Sequence, residues 1–135
     1  MYRPRAKDNE ARSAEVARQG AAVLGLPVKL AQRAGELILA TTHERVPDDP
    51  DARLVCDCDL AILGRPEAEF AIYEKAIRRE YRWVPFPLYR RGRAAVLREF
   101  LDRPTIYGTA RFREKYEAAA RGSLMRVLGG GAGRA

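Results

Sequence analysis

The chain is poor in the residues that most catalytic and disulfide-built proteins rely on. Its 135 residues hold one histidine, two cysteines, one tryptophan and two methionines. A single His excludes a self-contained poly-His metal centre. Cys56 and Cys58 stand too close together to staple a fold, so a disulfide framework is excluded and free thiols in a reducing, cytoplasmic setting are expected. No apolar run approaches the length of a membrane span, and no signal-peptide pattern precedes the first helix. Alternating strand patterns are essentially missing. Low-complexity sequence is confined to the end, "GGGAGRA", where residues 129–135 are expected to form a flexible tail.

What is present is helical periodicity and positive charge. Lys and Arg exceed Asp and Glu by 7, and most of the cations are arginine. That balance points to anionic partners, although the positives are scattered rather than blocked. The apolar fraction, 47%, suffices for a core in one domain of ordinary size, expected over residues 1–128.

Six helices are expected, making a single all-α bundle. The first begins at an Asp8 or Asn9 cap, carries Ala14, Ala17, Ala21 and Leu24 on one face, and ends at Gly25. The second opens at Pro27 with Leu30, Ala34, Leu37, Ile38 and Thr41 as its stripe. A third, capped by Asp51, is expected over 52–63, closed by Gly64. Pro66 opens a fourth, carrying Phe70, Tyr73, Ile77 and Tyr81. "RWVPFPLY" reads as an extended, proline-pinned connection. A fifth helix lines up Arg93, Val96, Leu97, Phe100 and Leu101. After "RPTIYG", Thr109 caps a sixth with Phe112, Tyr116, Ala120 and Leu124.

The chemistry-bearing stretch is "ATTHERVPDDPDARLVCDCDLAILG", residues 40–64. It sets the lone His43 at a helix end, ahead of Asp57 and Asp59 in apolar surroundings. Residues two apart on a helix point roughly 200° away from each other, so one regular helix cannot aim both carboxylates at one site. Imidazole with carboxylate suits Zn, Mn or Fe, and carboxylate alone suits Mg. Bland readings stand beside this one. His43 can cap its own helix, and either aspartate can pair with an arginine. Cys56 and Cys58 read as small buried hydrophobes. Tyr81, Tyr89 and Tyr107 read as packing residues with bonded hydroxyls.

Taken together, "ELILATTH", "LVCDCDLAILG", "IRREYRWVP", "YRRGRAAVLREFLDRPTIYGT" and the final "AR" resemble a bacterial branch of the HD-domain superfamily, predicted metal-dependent phosphohydrolases. The resemblance covers about residues 2–128. It implies an all-α fold and a divalent metal (Mn, Mg, Fe or Zn). It implies a small phosphorylated substrate, such as a nucleotide. By resemblance the distant metal-binding aspartate falls on Asp59, with Asp57 as fallback. His43 matches a site-lining histidine and Glu10 a position near the site. Arg78, Arg93 and Arg103 fall in three family-like stretches as candidate holders of substrate phosphate. Each of the three arginines also reads as a solvated side chain or an ion-pair partner, and Glu10 as a first-turn acid favoured by the helix dipole.

The family's His-Asp pair has no counterpart. It is expected just before residues 9–14, where this chain has "MYRPRAKD", and the helix carrying the first His is missing as well. The resemblance therefore implies a chain lacking its first helices, inactive or weak, and self-associating through uncovered apolar faces. The rival from another class is a non-catalytic all-α module that binds nucleic acid or protein, favoured by the aromatics and arginines of "YRWVPFPLYRRGR". No helix-turn-helix or zinc signature accompanies that stretch.

Overall fold

The computed structural model describes residues 8–130. Among them every regular element is helical: α1 (Asn9–Val23), α2 (Val28–Ala40), α3 (Pro50–Leu60), α4 (Glu67–Glu80), α5 (Phe86–Asp102) and α6 (Ala110–Gly129), with one 3-10 turn at Ala61–Gly64. The fold is all-α, as the periodicity predicts. No helix among the described residues is long and apolar enough to cross a membrane. The glycine-rich tail lies, from residue 131 onward, outside the described residues.

The chain forms two compact units, one ending at Asp59 and the other beginning at Leu60. In the first, α1 and α2 make a helical hairpin. Its turn is built on Gly25, whose φ of 68° no side-chain-bearing residue adopts cheaply. Leu26 N–H donates to Ala21 O at 2.9 Å and Gly25 N–H to Ala22 O at 3.1 Å, the paired bonds of a Schellman ending. The residues α1 and α2 bury are small: Ala14, Ala21, Ala31 and Gly35. Helices meeting through alanine and glycine approach closely, and that places the α2 contact face one residue later than the Leu30, Ala34 stripe. Leu24 and Leu30, expected on buried faces, are exposed.

The second unit holds the larger core. Leu60, Leu63, Phe70, Leu97, Ile106, Tyr107, Ala120 and Leu124 are buried together. Tyr107 is at its centre, with its hydroxyl donating to Leu60 O at 2.9 Å. Phe112 and Tyr116 stack around it with centroids 6.0 Å from its ring.

Four local expectations are corrected. The third helix is capped by Asp49 rather than Asp51: the Asp49 Oδ1 accepts from the N–H of Asp51 at 2.8 Å and of Ala52 at 3.2 Å. It also stops at Leu60 and tightens into the 3-10 turn, where Gly64 meets Tyr116. The "FPLY" stretch is not extended but forms the first turn of α5, with Pro87 at a position whose N–H no helix uses. Val96, expected on the buried side of α5, is exposed, while Leu97 is fully buried.

Candidate functional site

The first unit brings the two foremost candidates together. His43 Nε2 and Asp59 Oδ2 lie 2.6 Å apart, a hydrogen bond across 16 positions of chain. The local cause on the histidine side is the way α2 ends. Thr41, Thr42 and His43 donate successively to Ile38 O, Leu39 O and Ala40 O, a tightened last turn. His43 then takes φ 58°, the left-handed region that histidine tolerates better than branched residues. On the other side, Asp59 stands in the last turn of α3, where the helix dipole disfavours a carboxylate. A ring N–H supplied there offsets that unfavourable placement.

The two ends of the pair differ in exposure. The His43 side chain is 14% exposed and that of Asp59 is 54% exposed. The carboxylate thus keeps one face toward solvent, while the imidazole is held by protein. Asp57, the fallback ligand, goes the other way and is 1% exposed. The helical turn therefore separates the two aspartates, as their spacing requires.

The neighbouring cysteines split likewise. Cys56 is buried and its thiol donates to Ala40 O at 3.2 Å, tying α3 to the end of α2. Cys58 is exposed, contrary to its reading as a buried hydrophobe. No three His, Cys, Asp or Glu side chains among the described residues are grouped to hold a metal ion. Two donors are too few for a tight resident metal, so the residues present do not fit a complete centre.

Glu10 occupies the first turn of α1, where an acidic side chain complements the helix dipole. The three arginines belong to the second unit, and each has protein contacts. Arg78 donates to Tyr81 O at 2.9 Å and Val84 O at 3.2 Å, and its guanidinium lies 4.8 Å from the Tyr89 ring centroid. It thereby clasps the α4–α5 connection. Arg93 is held by Glu74, with both side chains largely buried. Arg103 lies over the Phe100 ring at 4.8 Å.

Sequence reading missed two polar devices. Arg33 grips Asp49 with two nitrogens, at 2.6 and 2.8 Å, and reaches Asp51 at 2.8 Å. That hydrogen bonding from Arg33, aided by the Ala52 N–H, draws the Asp49 pKa from 3.8 to about 2. The other device is the Glu117 and Arg121 pair on α6. Glu117 accepts from the N–H of Ile106 at 2.8 Å, while Arg121 donates to Leu101 O, Arg103 O and Pro104 O. Together they satisfy the backbone of the "RPTIYG" break. An i, i+4 Glu–Arg pair on one helix was the available signal, but its backbone targets were not visible in sequence.

Tyr89 is also corrected. Its hydroxyl is the only buried side-chain polar atom without a hydrogen-bond partner among the described residues. Burial pushes that hydroxyl above its ordinary pKa, against the lowering pull of Arg93 and Arg78. Compared with protein-family models, with curated proteins and with solved structures, the chain matches none.

Proposed function

We propose that this chain is a helical domain of the HD phosphohydrolase type, in which His43 and Asp59 are the site residues. The substrate class is a small phosphate ester. The chain by itself hydrolyses such esters weakly or not at all, because two donors do not complete a metal centre. The observation that supports this reading is the 2.6 Å approach of His43 Nε2 to Asp59 Oδ2. A ring nitrogen just beyond the end of α2 and a carboxylate in the last turn of α3 share one polar spot, with the carboxylate open to incoming ions.

Within that site His43 holds Asp59 in one orientation, and the left-handed turn fixes the histidine. Arg78 and Arg93 belong to the second unit and are committed to the carbonyls and the carboxylate described above.

The test uses the full chain. Mn2+ added in small steps is expected to broaden the NMR signals of His43 and Asp59 first, with saturation in the millimolar range. Asp59→Asn should remove that effect and Asp57→Asn should leave it. Phosphate release from p-nitrophenyl phosphate with Mn2+ should stay near the no-protein rate. Broadening that begins elsewhere, or that survives Asp59→Asn, would refute the assignment.

A further inference from the structure

Apart from the His43 and Asp59 pair, the second unit carries a groove of about 440 Å³ between α4, α5 and the end of α6. That volume lies in the range of small-molecule sites. We infer that this groove binds a small organic phosphate, its anionic group held between Arg91 and Arg98 and its body against Val127 and Leu128.

The arrangement follows from helix geometry. Arg91 and Arg98 are seven residues apart on α5, two turns along the same face. Ala94 sits between them, and its single methyl leaves the gap open. Neither arginine makes an ion pair with a described residue, whereas Arg93 of the same groove is occupied by Glu74. That carboxylate is the groove's only acid and is already neutralised. Two like charges about 10 Å apart on one helix face repel weakly. An anion shared between them removes the repulsion and accepts charge-assisted hydrogen bonds from both guanidinium groups.

The opposite wall is apolar, formed by Val127 and Leu128. Tyr89, whose buried hydroxyl has no hydrogen-bond partner among the described residues, is one of the residues lining the same groove. Guanidinium pairs beside an apolar wall recognise a phosphate attached to a carbon skeleton better than a free ion. The limited volume favours a small ligand over a nucleic-acid strand.

Calorimetric titration of the full chain with phenyl phosphate and with inorganic phosphate tests the assignment. Phenyl phosphate is expected to bind roughly fivefold more tightly than the inorganic ion, from burial of its ring. The double variant Arg91→Gln/Arg98→Gln should weaken it by about tenfold or more. Ala94→Glu, which keeps a good helix former and places a carboxylate between the arginines, should do the same without deleting either one. Arg111→Gln, an exposed cation on α6, should change nothing. Unchanged binding in both groove variants would overturn the proposal, as would equal affinity for the two phosphates or an equal loss with Arg111→Gln. A ten-residue oligothymidine that binds at least a hundredfold more tightly than phenyl phosphate, with a loss in the same variants, would replace it with a nucleic-acid surface.

Discussion

Gly64 lies directly against Tyr116: a Cβ placed on the glycine would stand 2.6 Å from the tyrosine Cβ and 2.8 Å from its ring. The 3-10 turn and α6 therefore touch at a point where no side chain fits. Because the obstructing atoms include a Cβ, the tyrosine cannot swing clear by a rotamer change alone. Gly64→Ala is expected to destabilise the second unit by about 1–3 kcal/mol, the usual cost of overpacking. Urea unfolding followed by circular dichroism will measure it.

Two tyrosines should respond oppositely to loss of the hydroxyl. Tyr107 donates to Leu60 O from a fully buried position, so Tyr107→Phe removes a buried hydrogen bond and should cost about 0.5–1.5 kcal/mol. Tyr89 has no hydrogen-bond partner to lose among the described residues. Tyr89→Phe should therefore be neutral or slightly stabilising. Thermal melts of the two variants under one condition decide the sign.

The clasp of Asp49 by Arg33 has a pH signature. Its folded pKa, about 2, lies below the ordinary 3.8. A depressed carboxylate stabilises the fold above its unfolded pKa, and the contribution fades as pH falls from about 4 toward 2. Carbon-detected NMR should show Asp49 titrating below the ordinary aspartate value, and Arg33→Gln should return it toward that value. Asp49→Ala also removes the α3 cap and should lower the melting temperature at neutral pH.

His43 and Asp59 should be coupled modestly, because the carboxylate is half in water. A double-mutant cycle with His43→Ala and Asp59→Ala is expected to give about 0.2–1 kcal/mol. At the same position His43→Asn should be tolerated, while His43→Val should add about 1–2 kcal/mol from the left-handed backbone. Equal stability of the asparagine and valine variants would contradict the backbone conformation.

Gly25 carries the other left-handed turn, with φ 68°. Gly25→Ala meets no neighbouring atom, so its cost is purely conformational and should be about 1–2 kcal/mol.

Helix number and order were legible in the sequence because periodicity and breakers are local. Gly25, Pro27, Pro66 and the "RPTIYG" break all end or begin helices as their backbone chemistry demands. Caps were less legible: Asp49 and Asp51 are both plausible N-terminal acids and Arg33 of α2 reaches both, so only the start of the helix at Pro50 leaves Asp49 as the cap. The buried face of α2 was misjudged because hydrophobicity favoured Leu30, whereas close packing on α1 selected Ala31 and Gly35. Arg78 and Arg93 could be read as phosphate ligands as long as their partners, carbonyls three and six residues on and a carboxylate nineteen residues back, were unseen.

By itself the sequence determined the all-α class, the helix breaks and the divergence of Asp57 from Asp59, since each follows from backbone geometry within a few residues. Tertiary structure alone decided that His43 reaches Asp59, that Tyr107 rather than Tyr89 has its hydroxyl satisfied, and that Arg91 and Arg98 form no ion pair among the described residues. Those outcomes depend on which side chains meet across separate helices, and a pairing over many residues is set by packing, which no local pattern encodes.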